Sequence, residues 1–346
     1  MIMNDGAMAG LFVVTLAGFL VGTMTWPMKV ARKLDFEHQW LPAMLVGLVV
    51  MPWTITLIGC PDAFAAYAEV GAGTLLKANA FSIAWGVANV ILGICVVRIG
   101  AGLTFAILTG VGATIGVLTP TIFKGTGLFA QAPGLMSPAG LTVLCGSAIM
   151  LVGVALTARA GRLREGVGSQ SGARGRGSLG PIALAALAGV LSAGISFTFV
   201  FSQGPIVEAM AKRGASPIVA NASVWAVALL GGATVNVIYP LWLLFRNKSW
   251  GKYRGAAVQA LVSSLIGIQF FLGVLLLGKG MLLLGALGAS VGFGIQQGMQ
   301  ILGGQTVGLV SGEWKGAPPP ASRRMLAAVG LLLSAAVLMA IGNALV

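Results

Sequence analysis

Trp85 and Asn89 stand four positions apart in FSIAWGVANVILGICVVRIG, residues 81–100, a stretch otherwise apolar until Arg98. If the stretch is helical, the two side chains share one face. An indole beside a carboxamide offers an apolar plate together with a donor and an acceptor, which are the groups that receive an uncharged polyol stripped of its water. The same kind of group recurs in other apolar runs as Ser196, Gln203, Asn236, Gln269, Gln296, Gln297 and Gln300, and Gln296 and Gln300 are again four apart. Taken singly, each of these is equally well read as an interhelical hydrogen bond, a contact worth about 0.6 kcal/mol on average. Taken as a set, they read as the lining of a binding cavity.

Catalytic chemistry is poorly supplied. The single histidine, His38, lies in KLDFEHQW, and neither a Ser/His/Asp arrangement nor a cluster of His and Cys metal ligands can be built around it. The eight acids, Asp5, Asp35, Glu37, Asp62, Glu69, Glu165, Glu208 and Glu313, all fall in loops or at the ends of apolar runs. Cys60, Cys95 and Cys145 have no paired spacing and read as small apolar residues. Neither an enzyme, a metal site nor a cofactor is expected.

The elements that must position these groups follow from composition. The chain is 57% hydrophobic and 8% charged, with a mean hydropathy of +0.96, whereas soluble domains are roughly 25% charged. It is therefore read as an all-α integral membrane protein. A span takes about 20 apolar residues, and ten such runs stand near 8–28, 41–59, 78–97, 100–122, 140–158, 181–201, 218–244, 256–277, 281–302 and 325–345. They are apolar on every face, which excludes the alternating pattern of a β-barrel. The start, MIMNDGAMAG, has no basic stretch or cleavage site, so the first run is expected to remain as a helix. Little chain is left for the output domain a sensor would carry.

The net charge of +13 sorts by loop rather than pointing to nucleic acid. Most Lys and Arg residues fall on one set of alternate connections, including Lys29, Arg32, Lys33, Arg98, Arg246, Lys252 and Lys315. The positive-inside rule puts that set in the cytoplasm and both termini outside. RAGRLREGVGSQSGARGRGSLG, residues 159–180, reads as a flexible cytoplasmic linker between halves 1–158 and 181–346. Five runs per half mean that a duplicated second half enters the membrane inverted. At an offset of about 180 residues NVILGICVVRIG faces QFFLGVLLLGKG, pairing Asn89 with Gln269, and LAGFLVG echoes LAGVLSAG. Gly112 with Gly116, Gly288 with Gly292 and Gly294 with Gly298 have the small-xxx-small spacing of close helix packing. Trp26–Pro27 and Pro52–Trp53 each join an aromatic to a backbone break, as an interfacial anchor with a kink or as a gate or hinge.

Longer segments carry a family resemblance: PMKVARKLDFEHQW with MPW, AWGVANVILGICVVRIGAG, IGVLTPTI, ARAGRLRE, SAGISF with VEAMAKRGASP, GGATVNV, IQFF and GLVSGEWKG. Over nearly its whole length the chain resembles the bacterial L-rhamnose–proton symporter family of the drug/metabolite transporter superfamily. The resemblance implies ten helices in two inverted five-helix repeats, a multi-pass protein of the bacterial cytoplasmic (inner) membrane, and alternating access that imports a sugar with protons. It places Trp85 and Asn89 in a W-G-x-x-N motif, Ser192, Gly194, Ser196 and Phe197 in S-A-G-x-S-F, and Gln269 in Q-F-F. No acid lies at mid-membrane depth, so the candidates for proton coupling are acids at the cavity mouths, Glu37, Asp62, Glu69, Glu208 and Glu313. Arg32, Lys33 and Lys315 also offer Glu37 and Glu313 salt bridges. A drug or metabolite exporter, or an uncoupled facilitator of the same fold, is the alternative.

Overall fold

A computed structural model describes residues 5–31, 33–99, 101–123, 127–168, 179–312 and 314–345, and these are helical with short connections and contain no strand. Helices α1 (Asp5–Thr23) and α2 (Trp26–Val30) form a first segment broken at residues 24 and 25. Helix α3 (Phe36–Met44) passes through a π-helical turn, Leu45–Val50, into α4 (Met51–Gly59), and the short α5 (Ala63–Val70) follows. Then come α6 (Ala72–Ile99), α7 (Ala101–Ile122) and α8 (Pro138–Gly168). Helices α9 (Leu179–Ser192) and α10 (Gly194–Ala211) meet at Ala193, and α11 (Pro217–Ala228) and α12 (Leu230–Arg246) meet at Leu229 with a bend of 54°. Helices α13 (Ala257–Leu283), α14 (Phe293–Val310) and α15 (Pro319–Ala344) complete the order.

Among the described residues, seven segments are long and apolar enough to cross a membrane, and the bent α11–α12 pair makes an eighth. Helix α7 contributes a shorter apolar stretch, Ile107–Thr119. The glutamine-bearing α14 falls outside this set. The chain is thus a polytopic α-helical membrane protein.

Two expected boundaries are corrected. The run 281–302 is not one helix, because α13 continues to Leu283 and the chain reverses at Gly285, whose φ of +77° suits a residue without Cβ. It re-enters α14 through a 3₁₀ turn and a π turn, and Lys279 lies inside α13. The tract 159–180 is also not wholly a linker, since α8 remains helical through Gly168; residues 169–178 lie outside those described.

Where helices break, sequence chemistry explains it. Pro27 and Pro52 have no amide hydrogen to continue a ladder, and each sits in the first turn of a new helical piece. The π turn before Pro52 widens the helix where the ring would otherwise meet the Leu48 carbonyl. The α11–α12 bend frees backbone groups that hydrocarbon cannot satisfy, and α6 satisfies them. Asn79 Nδ2 donates to the Val227 carbonyl at 3.0 Å, Asn79 Oδ1 accepts from the Gly231 amide at 2.7 Å, and Ser82 Oγ accepts from the Gly232 amide at 2.9 Å.

Helix α1 packs against α13 and α14, α9 and α10 pack against α6 and α7, and α8 runs along α15. Helix α3 rests on α12 and α13. Two crossings bring backbone to backbone: Gly47 meets Gly267, and Gly86 meets Gly232 at a distance where an added Cβ would stand 2.7 Å from the opposing Cα. A Cβ on Gly267 would overlap the Ala43 carbonyl, whereas one on Gly298 would meet nothing nearer than Met150 Cε at 3.9 Å. Gly267→Ala is therefore expected to cost about 1–3 kcal/mol and Gly298→Ala almost nothing. Thermal unfolding of purified protein in detergent measures both, and equal midpoints would refute the tight crossing.

Candidate functional site

On α6, Phe81, Trp85 and Asn89 follow at four-residue intervals and line one face. Their surroundings differ. Phe81 stacks on Phe197 of α10, ring centroids 5.0 Å apart, and on Phe201 at 6.0 Å, while Phe123 leans on Phe197 at 6.1 Å. Lys77 places its ammonium 3.9 Å from the centre of the Phe201 ring. Gly194 makes this possible, because a Cβ there would collide with the Phe81 carbonyl. One turn along, Trp85 is 5% exposed and stacks on Phe270 of α13 at 5.7 Å, with Gly232 against the edge of the indole. The sequence suggests an open aromatic plate; in this conformation the plate is covered. Asn89, another turn along, is half-buried and has no side-chain hydrogen-bond partner among the described residues.

The glutamines divide into two groups. Gln296 Nε2 donates to Gln300 Oε1 at 3.1 Å, joining the pair that the four-residue spacing put on one face. Gln296 Oε1 is buried with no donor among the described residues, and the same is true of Gln203 Oε1 on α10. Gln269 is instead fully engaged with the broken first segment. Its Nε2 donates to the Leu20 carbonyl at 2.9 Å and to Thr23 Oγ1 at 2.6 Å, and its Oε1 accepts from Trp26 Nε1 at 3.0 Å. Leu20 is the carbonyl the helix leaves free, because Met24 bonds back to Val21. Ser196 is 2% exposed and donates to the Gly116 carbonyl at 3.3 Å, tying α10 to α7 beside Phe293 of α14. Asn236 is fully used, accepting from Trp40 Nε1 at 3.0 Å and donating to the Gly232 carbonyl at 2.9 Å.

The break-associated aromatics act differently from one another. Trp26 is the side chain that meets Gln269, with Pro27 buried behind it. Trp53, after the buried Pro52, stacks on Phe64 at 5.9 Å and Tyr67 at 6.0 Å, so it holds α5 against α4. Burial raises the Tyr67 phenol, whose hydroxyl donates to the Ser223 carbonyl at 2.8 Å.

The acids are placed as follows. Glu37 is 5% exposed and accepts from Asn247 Nδ2 at 3.0 Å and Ser249 Oγ at 3.4 Å, a neutral pairing in place of the expected bridge to Lys33. Arg32 and Glu313 lie outside the described residues. Asp62 is exposed at the start of α5 and makes no capping bond. Glu69 is paired with Lys212 at 3.2 Å and Arg213 at 2.6 Å, and Glu208 with Lys212 at 3.1 Å.

Comparison with known proteins now bears on this arrangement. The family described as L-rhamnose-proton symport protein (RhaT) matches residues 3–345. The chain belongs to that family. Its relatives include the L-rhamnose-proton symporter of Cronobacter sakazakii, 27% identical over 300 residues that cover 84% of each chain. The symporter of that name from Shigella sonnei is 26% identical over 323 residues, 90% of this chain and 91% of the relative. The one from Salmonella typhimurium is 26% identical over 346 residues, 95% of each.

Within this RhaT-family chain, sequence reasoning missed Asn79, Ser82, Phe81 and Phe270. Asn79 and Ser82 were visible as polar residues inside an apolar run. Their role depends on a bend in another helix, which no local pattern announces.

The Glu69 cluster generates a pH prediction. The Arg213 guanidinium, followed by the Lys212 ammonium, holds the Glu69 carboxyl below its ordinary 4.5, and Glu208 and then Glu69 raise Lys212. A carboxylate depressed in the folded state stabilises above its unfolded pKa, and that contribution disappears as pH falls through the lower folded value. The thermal-midpoint difference between wild type and Glu69→Gln should therefore be small, as for any exposed pair. It should be present near neutral pH and vanish as pH falls below the ordinary carboxylate value of 4.5 and through the lower folded value. A difference constant across that range would refute the pairing.

Proposed function

We propose that this chain imports L-rhamnose, or a closely related deoxy-sugar, together with protons, by alternating access in the bacterial cytoplasmic membrane. The carrying observation is the family match over residues 3–345, with relatives named for that transport. The chemistry of the site supports it. A buried acceptor without a donor, such as Gln296 Oε1, costs about 1–3 kcal/mol, and a sugar hydroxyl removes that cost on binding. Asn89 brings a further unpaired donor and acceptor.

The architecture we propose is ten spans in two inverted five-helix halves, with both termini outside. The packing supports it. Helix α1 lies against α13 and α14 as α9–α10 lie against α6 and α7. The Gly47–Gly267 crossing has a counterpart in Gly232–Gly86, each glycine displaced from its partner position by about 180 residues as duplication requires. In this arrangement the Phe81, Phe123, Phe197 and Phe201 rings close the outer mouth and Trp26 with Gln269 secures the inner one. The breaks at residues 24–25, Ala193 and Leu229 serve as hinges. Substrate drives the exchange only through its different affinity for the two states. The other sequence-proposed ligands, Trp85, Ser196, Phe197, Gln269 and Gln300, remain part of this reading as walls of the moving parts rather than as free ligands.

Counterflow of labelled L-rhamnose in proteoliposomes tests the substrate; no exchange would favour an exporter of other compounds. Asn89→Ala should lower apparent affinity roughly threefold to tenfold, the worth of one or two hydrogen bonds, at unchanged thermal stability. Gln269→Ala should lower both uptake and thermal midpoint, because it removes three bonds to the broken first segment and leaves the Leu20 carbonyl with only the Thr23 hydroxyl. Wild-type uptake in both would remove these amides from the site. An imposed gradient, acid outside, should raise initial uptake, and a rate indifferent to it would mean uniport.

A further inference from the structure

The most concentrated chemistry outside the amide site lies at the start of α3. Asp35, Glu37 and His38 each offer a ligand atom within 4.8 Å of the others. His38 is 0% exposed, and its Nε2 lies 2.9 Å from the Ser249 carbonyl. A carbonyl only accepts, so Nε2 carries the hydrogen and Nδ1 of the neutral ring is a bare lone pair. That Nδ1 is buried without a partner and faces Asp35 Oδ2 at 3.9 Å. A lone pair facing a carboxylate at this separation leaves room for a metal cation between them.

We propose that Asp35, Glu37 and His38 bind a divalent transition-metal ion of the Zn²⁺ class. An imidazole that ligates through one nitrogen and donates its other N–H to a backbone carbonyl is the usual outer-shell arrangement of metal-bound histidine. Glu37 is oriented in the same way, with Oε1 held by Asn247 and Ser249. Tyr253 fixes the histidine, its ring edge-on at 5.0 Å and its hydroxyl donating to the His38 carbonyl at 3.2 Å. Zinc bonds of about 2.0–2.2 Å place tetrahedral ligands about 3.4 Å apart, so Nδ1 and Oδ2 must close by about half an ångström and the widest pair of the three by up to about 1.4 Å. Asp35 is half exposed and provides the entry. One nitrogen and two carboxylates suit zinc and its neighbours, and leave a position for water. Mg²⁺ and Ca²⁺, which take oxygen ligands, are excluded by the imidazole.

Lys252 pairs with the same Asp35 oxygen, so it competes for the site. Its side chain is 49% exposed on a flexible stem and can return to water when the metal enters. The histidine escaped notice as a ligand because sequence offered it no second His or Cys; Asp35 and Glu37 stand beside it in the chain, and the fold adds the loop that orients them. Because the site stands apart from the amides, it does not depend on the transport reading.

The test is calorimetric titration of the full chain in detergent, stripped with EDTA and freed of chelator, with ZnCl₂. A Cys145→Ser background removes the exposed thiol. One Zn²⁺ per chain is expected, unaffected by excess Mg²⁺ and weakened at least about a hundredfold by His38→Ala. Lys252→Ala keeps all three ligands and should tighten binding by up to about fivefold, by removing the competing charge. Absent stoichiometric binding, equal affinity in wild type and His38→Ala, or displacement by Mg²⁺ would overturn the proposal. If His38→Ala is not monodisperse, Lys252→Ala decides, and unchanged or weaker binding there overturns it.

Discussion

Hydrocarbon has no water to offer a free amide or carbonyl, so a helix that breaks inside a membrane must be repaired by a neighbour. The rest of this structure is arranged around that constraint. The α11–α12 bend is tolerated because Asn79 and Ser82 of α6 reach its freed groups. The break before α2 is tolerated because Gln269 of α13 reaches the Leu20 carbonyl. Side-chain repairs differ from a continuous ladder in one respect that matters for a carrier: they can be exchanged as one helix turns against another.

The same economy explains why polar side chains at membrane depth do not all serve one purpose. Asn236 and Gln269 are consumed by structural bonds. Gln296 keeps one buried acceptor open, and Asn89 makes no bond among the described residues. Helix α6 carries both kinds, repairing α12 with Asn79 and Ser82 and presenting Asn89 farther along. Aromatic stacking between α6, α10 and α13 fills the space between these polar levels, so movement of α10 or α13 would uncover the Trp85 ring.

Charge is kept to the rims. At one, Glu69 joins α5 to Lys212 and Arg213 beyond α10; at another, Asp35, Glu37 and His38 at the start of α3 meet the connection between α12 and α13. Both contacts cross between elements far apart in sequence. They join these segments at their ends, where water can still solvate a charge that the interior would penalise.

The sequence by itself determined the class of the protein, because 57% hydrophobic residues and apolar runs of bilayer length leave a helical membrane protein as the solution. It determined the family, because ordered segments along nearly the whole chain carry the resemblance. It also marked the break before Pro27, although Pro42, Pro205 and Pro240 lie inside helices that continue. It could not place the boundary between α13 and α14, since an unbroken apolar run does not reveal that the chain reverses at Gly285. Nor could it say which amides are free: Gln269 and Asn89 look alike as letters, and only the approach of a broken helix to one of them decided their difference. His38 needed tertiary structure most, because the distant Ser249 carbonyl decides which ring nitrogen stays open toward Asp35, three residues earlier in the same turn.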